Sequence, residues 1–165
     1  MLVAAGLASS PLKPLPDLMV DERGKLIALR DAEGRYYFSN LRREAFTRRL
    51  WLQYLGQTQA GSWREAQEAG LVQCDSRGCL VRRDGLLIAL SATPDGAEED
   101  CLIADFVIAR EPLRRIACAA PLGERDLYDL FDEGAHLFSL GGEQGVSLET
   151  VEEGRGERPW TRRPR

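Results

Sequence analysis

Histidine is almost missing from this chain: His136 is the only one in 165 residues. A single imidazole excludes the hydrolases whose metals sit in clusters of several histidines. Long apolar runs are missing too. Nothing approaches the roughly 20 consecutive apolar residues needed to cross a bilayer. Residues Met1–Ser9 are mildly apolar but short, and they lack the basic start of a signal peptide. Lysine stands only at positions 13 and 25, so the basic charge is almost all arginine. The net charge of −4 gives no overall attraction to nucleic acid or acidic lipid, so any such contact needs a local arginine cluster. There is no G-x-S-x-G, no phosphate-cradling glycine loop and no dinucleotide fingerprint. Gly141, Gly142 and Gly145 read as a turn between two strands.

What is present suffices for one domain. Apolar residues make up 44% of the chain, enough for a core that needs neither metal nor disulfide. Pro11, Pro14 and Pro16 mark residues 1–16 as an extended linker or the end of a preceding membrane helix. Residues 17–154 form a single α/β domain, and 155–165 a polar, arginine-rich tail. Strands are expected at 18–20, 25–30 and 35–38, joined by the turns Asp21–Gly24 and Asp31–Gly34 into a β-meander. A helix over 42–55 is capped by Ser39 or Asn40. Its buried face is Phe46, Leu50 and Tyr54 at i, i+4, i+8, with Trp51 and Leu55 beside it. Ser62 and Glu65 form a capping box for a short helix stopped by Gly70.

Strands follow at 71–74, 79–83 and 86–91. Asp95 with Glu98 then caps a helix to about residue 102. Strands at 106–109 and 116–118 precede a helix over 124–133 with Leu127, Leu130 and Phe131 inward, closed by Gly134. The last strands are 136–140 and 146–151. The fold class is α/β (α+β): a β-meander followed by a layered mixed sheet with short helices.

All four cysteines lie between Cys74 and Cys118. Cys74 and Cys79 flank a four-residue turn and face each other if that turn closes a hairpin. Cys101 ends a helix and Cys118 a strand, with one strand and a return between them. Two local disulfides, Cys74–Cys79 and Cys101–Cys118, therefore fit the spacing, although four cysteines allow three pairings. A four-cysteine zinc site normally needs two tight C-x₂₋₄-C pairs, and only the first is tight. Four reduced, buried thiols are the third reading.

Among the acids, Asp105 is the odd one, set inside an apolar strand. It either pairs with an arginine or caps a neighbouring loop. A carboxylate-held Mg²⁺ nuclease would draw on Asp75, Asp100 and Asp105, but nothing in their spacing fixes a geometry. Two arginine clusters are candidates for DNA contact: Arg42, Arg43, Arg48 and Arg49 on the first helix, and Arg155, Arg158, Arg162 and Arg163 in the tail. For the first cluster a solvated helix face is the competing role.

One resemblance covers nearly the whole chain. Cys74-Asp75-x-x-Gly78-Cys79, Glu99-Asp100-Cys101-x-x-Ala104-Asp105, Pro112-Leu113-x-Arg115 and Cys118 form a series. It continues through Asp126-Leu127, Gly134-Ala135-His136 and Arg155-Gly156-x-Arg158-Pro159-Trp160. With Pro16-Asp17-Leu18-Met19-Val20 and Ile27-Ala28-Leu29-Arg30 upstream, it resembles the soluble C-terminal region of ComEC-family competence proteins of alphaproteobacteria. These inner-membrane channels pass single-stranded DNA in natural transformation. Many carry a metallo-β-lactamase-like domain that needs a histidine and aspartate cluster.

With one histidine, the resemblance implies a degenerate, non-catalytic version of that domain, structural or DNA-guiding, with no cofactor and no small-molecule substrate. Its partners would be the membrane channel portion of the same or a neighbouring protein, and single-stranded DNA. It would face the periplasm at the inner membrane, a location that favours the two disulfides. The alternatives are a carboxylate/Mg²⁺ nuclease domain, or a small cytosolic domain unrelated to competence, which would be cytoplasmic if the chain stands alone.

Overall fold

A computed structural model of the chain describes residues 14–156 except 142 and 144. The expected tail residues Arg158, Pro159, Trp160, Arg162 and Arg163, and the segment Met1–Ser9, lie outside the described residues.

The fold is mixed α+β, with two mixed sheets and short helices. The first sheet holds β1 (Leu18–Val20), β2 (Ile27–Arg30), β3 (Tyr36–Phe38) and β4 (Gly61–Ser62), with β10 (His136–Leu140) and β11 (Val146–Thr150). Its order is β11-β10-β1-β2-β3-β4, antiparallel except for β3 against β4. The second sheet runs β5 (Val72–Cys74), β6 (Gly78–Arg83), β7 (Leu86–Ser91), β8 (Phe106–Ala109) and β9 (Gly123–Arg125). Its first three strands are antiparallel, and β7, β8 and β9 are parallel. The meander is thus the centre of one sheet, extended by the C-terminal hairpin.

Alternation along each strand decides which way every side chain points. Leu18, Val20, Leu29, Ile88, Leu90, Phe106, Ile108 and Phe138 meet between the two sheets. Phe106 and Phe138 pack edge to face there, with ring centroids 5.5 Å apart. Their neighbours Met19, Ala28, Tyr36 and Phe38 point the other way, against Trp51 of α1 (Ala45–Tyr54) and Leu55, its C-cap. On the second sheet Ala89, Val107 and Ala109 face outward against Ala97 and Cys101 of α3 (Pro94–Ile103). The layers therefore run helix, sheet, sheet, helix. Strand β8 is buried at all four positions, as a central parallel strand is, which is why Phe106-Val107-Ile108-Ala109 shows no alternation in sequence.

The sheets are also joined by charge. Asp17 is 5% exposed. Its Oδ1 accepts from Arg30 of β2 at 2.8 Å and lies 3.2 Å from the Arg83 guanidinium of β6, on the other sheet. Its Oδ2 accepts from the Leu140 backbone N–H of β10 at 2.8 Å.

Several local expectations need correction. Helix α1 starts at Ala45 behind Glu44, which sits at φ 52° with no side-chain cap bond. Asn40 instead closes its own turn onto the Arg42 and Arg43 amides, and Ser39 accepts from Ile27. The expected inward face is outward: Phe46, Leu50 and Tyr54 are 65%, 45% and 54% exposed, while Trp51 and Leu55 are buried. The two stripes lie about 100° apart on the helix, and only one of them can meet the sheet. Residues 116–118 form no strand. The edge of the parallel set is β9, so the next helix, α4 (Leu127–Glu133), begins three residues later than its apolar pattern suggests. Phe131 on it is half exposed, while Leu130 is fully buried. Helix α3 is capped by Thr93, whose Oγ1 accepts from Gly96 at 3.1 Å. The Ser62–Glu65 capping box opens α2 (Trp63–Glu68) as expected, and further boxes at Asp126 with Asp129 and Thr150 with Glu153 open α4 and α5 (Val151–Arg155).

Removing the Asp17 carboxylate takes a charged acceptor from two guanidinium groups and leaves a buried amide without its partner. Asp17→Ala is expected to lower the unfolding free energy by about 3–5 kcal/mol in urea titration. A loss of about 0.5 kcal/mol or less, the scale of ordinary surface replacements, would deny Asp17 this role.

Candidate functional site

The cysteines come first, because their state decides what chemistry the centre of the chain can support. Cys74 and Cys79 are directly opposed in the β5–β6 ladder and are joined in a disulfide. Cys101, in the last turn of α3, is bonded to Cys118 in the loop after β8. No cysteine is left free, so neither a zinc tetrad nor a reactive thiol exists here. Trp63 of α2 covers the first disulfide, its Nε1 lying 3.2 Å from the Cys74 sulfur and 3.4 Å from that of Cys79.

The three acids weighed for metal binding have separate duties. Asp75 closes the hairpin turn by accepting from the Arg77 and Gly78 amides, and those bonds hold its carboxyl below the ordinary range. Asp100 accepts from the Ser91 hydroxyl at 2.6 Å. Burial pushes its carboxyl above the ordinary range, although the Ser91 bond works against that shift. Asp105 accepts from the Leu87 backbone N–H at 2.8 Å and so caps the start of β7. That is the loop-capping role, and no arginine is needed for it. Asp100 is tied to Ser91 and Asp105 to Leu87, four residues apart on one strand, or about 13 Å. Among the described residues no group of three or more His, Cys, Asp and Glu side chains is arranged to hold a metal ion.

His136 is fully buried in β10. Its Nδ1 lies 2.8 Å from the Gly134 carbonyl oxygen and its Nε2 3.1 Å from Glu133 Oε2, so both ring nitrogens are engaged. Arg42 and Arg43 precede α1, and Arg48 and Arg49 lie within it. Arg48 reaches the Arg43 carbonyl and Arg49 lies over the Phe46 ring. Arg155 is drawn elsewhere, into a groove with Phe46 and Leu50 on one side and Val151 on the other.

Sequence reading missed a different cationic group. The carboxyl ends of β7, β8 and β9 open on one side of the second sheet, the place where open α/β sheets generally receive ligands. Two adjoining hollows lie there and share Glu111 and Tyr128. Lys25, Arg23 and Arg110 line one, and Arg114 and Arg115 the other, with Glu98 at its rim. The Arg114 guanidinium stacks over the Tyr128 ring at 4.5 Å. The backbone around them is fixed. The Arg110 amide donates to Ser91 O at 3.0 Å, and the Leu113 amide to Asp126 Oδ2 at 2.9 Å. Asp21 Oδ1 closes the opposing turn by accepting from the Lys25 and Leu26 amides. Gly24 at the tip of that turn has φ +63°, and a Cβ there would stand 2.8 Å from Arg110 Cγ. The arginine stem lies across this glycine. The cations come from two segments, 23–25 and 110–115, which only the fold brings together.

Two measurements follow. Removing the Ser91 hydroxyl removes the bond that lowers the Asp100 pKa, so Ser91→Ala is expected to raise that pKa further, read by carboxyl NMR titration. Because the folded value is already above the ordinary one, the contribution of Asp100 to stability is greatest at low pH. It is lost as pH rises from the ordinary carboxyl range through the raised value. An Asp100 that titrates at or below the ordinary value would overturn this account. For the disulfides, the sequence separations are 5 and 17 residues. The chain-entropy relation then gives about 2 kcal/mol for the first and about 3 kcal/mol for the second. Replacing Cys101 and Cys118 by serine is expected to destabilise more than replacing Cys74 and Cys79, and the reverse order would show that loop closure is not the controlling effect.

No protein-family model, curated protein or solved structure matches the chain.

Proposed function

We propose that this chain is the non-catalytic soluble domain of a competence-type DNA-uptake channel protein, with a structural or DNA-guiding role in natural transformation. The observation that carries the reading is the closure of all four cysteines in two disulfides. Such bonds belong to an oxidising compartment, which supports a periplasm-facing position beside the inner membrane. The helix–sheet–sheet–helix layering supports a degenerate metallo-β-lactamase-like domain. His136, with both ring nitrogens held by its own chain, supports the loss of hydrolytic chemistry. The partners are the membrane channel portion of the same or a neighbouring protein, and single-stranded DNA. No helix among the described residues is long and apolar enough to cross a membrane.

The test is chemical. Exported to the periplasm and kept unreduced, the protein is expected to take up no alkylating agent, and with Mg²⁺ or Mn²⁺ it should leave DNA intact. Four alkylatable thiols in that material would sink the compartment assignment. DNA cleavage abolished by Asp105→Asn would replace this reading with a nuclease.

A further inference from the structure

Resting on the DNA-guiding reading, we propose that the crevice at the carboxyl ends of β7, β8 and β9 is a binding site for single-stranded DNA. Bases would stack on Tyr128 and Phe131, and Arg23, Lys25, Arg110 and Arg114 would take the phosphates.

Charge is the first argument. The chain carries a net −4, yet the two hollows gather five cations against two carboxylates, Glu98 and Glu111. Lys25, Arg110, Arg114 and Arg115 form no ion pair with any described carboxylate. Among the described residues Arg23 pairs with Glu22 at 3.8 Å, and both side chains are well exposed. Such a pair is held weakly, so a phosphate can redirect the guanidinium. Cations gathered this way on an acidic protein concentrate a polyanion at one place rather than over the whole surface.

The aromatic rings decide which polyanion. Tyr128 and Phe131 are 46% and 48% exposed on α4. Their i, i+3 spacing sets them side by side on one helix face. A duplex keeps the faces of its bases inside its own stack and would meet only the cations. Unpaired bases present those faces, and stacking on exposed rings beside a cationic track is how sequence-neutral single-strand binders work. An acidic peptide would use the arginines and gain nothing from the rings. The site is also held ready: both loops that carry cations are fastened by the Ser91, Asp126 and Asp21 hydrogen bonds, so binding orders side chains and little backbone.

The experiment is fluorescence anisotropy of a labelled oligothymidine with the oxidised full-length chain, from about 50 to 200 mM salt. Single-stranded DNA is expected to bind more tightly than duplex of equal length. With three or four phosphates neutralised, the slope of log K against log salt should be about −2 to −3. Tyr128→Ala with Phe131→Ala is expected to weaken binding about tenfold or more while leaving the salt slope unchanged. Arg110→Ala should weaken binding and bring the slope closer to zero by about 0.7. Far-ultraviolet circular dichroism confirms that each variant is folded, and Arg114→Gln supplies a second exposed cation if Arg110→Ala is not. Binding that ignores the aromatic pair, that prefers duplex, or that polyglutamate displaces at equal charge would overturn the single-strand site. DNA binding lost only on replacing Arg42, Arg43, Arg48 and Arg49 would overturn the crevice and keep the DNA-guiding reading. No binding by any DNA would overturn both.

Discussion

The buried carboxylate of Asp17 is the constraint on which the two-sheet arrangement depends. A charge in so enclosed a place is tolerable only when its lone pairs are satisfied. Here Arg30 comes from the same sheet, Arg83 from the other, and the Leu140 amide from a strand 123 positions away. Hydrophobic contact between the sheets is not directional, and many sliding arrangements would bury similar area. The Asp17 contacts are directional, so they select one. Arg83 makes the selection stricter by also donating to the Arg30 carbonyl at 2.5 Å. Beside this network the Tyr36 hydroxyl donates to the Pro16 carbonyl, and burial pushes its pKa up to about 12. The residues that lead into β1 are thus fixed by polar contacts before the first strand begins.

Once the sheets are set face to face, the outer helices follow from strand alternation. Each strand that contributes Leu, Ile or Phe to the middle also presents a second apolar row on its far side. Without α1 and α3 those rows would meet water. The small residues Ala89, Ala97, Ala104 and Ala109 let α3 approach the second sheet closely, and the Cys101–Cys118 bond ties its end to the loop beyond β8. The β7–α3–β8 crossover also makes these strands parallel, and parallel strands place their carboxyl ends, with the loops that follow them, on one side. The crevice is therefore a product of topology, filled by whichever side chains those loops carry.

Local patterns were legible in the sequence, and distant partnerships were not. The meander turns, the Ser62 capping box and the apolar β8 run each depend on neighbours a few residues away, and each was readable. The inward face of α1 was misread because Phe46, Leu50, Tyr54, Trp51 and Leu55 make an apolar arc wider than the sheet can cover. Nothing local says which half is left out. Strand β9 is Gly-Glu-Arg, without an apolar residue, and it pairs only because β8 has an open edge beside it. Asp17 carries no local signal, since both of its arginines and its amide partner arrive from elsewhere in the chain. The crevice was illegible for the same reason: its cations lie in two segments, 23–25 and 110–115, that only the fold brings together.

The meeting of two distant segments also explains how an acidic chain can offer a cationic site. Arginines with no such tether, as at 42, 43, 48 and 49, repel one another on an exposed surface, where salt screens them. Arg110, Arg114 and Arg115 sit on a loop that is restrained at three points: the Ser91 carbonyl at its start, Asp126 in its middle and the Cys101–Cys118 disulfide at its end. The restraint keeps their charges near the Arg23 and Lys25 turn in spite of mutual repulsion. On this view the second disulfide does more than stabilise the core. It fastens the end of the segment that carries three of the five crevice cations, so the oxidation state of Cys101 and Cys118 and the shape of the crevice are coupled through one loop.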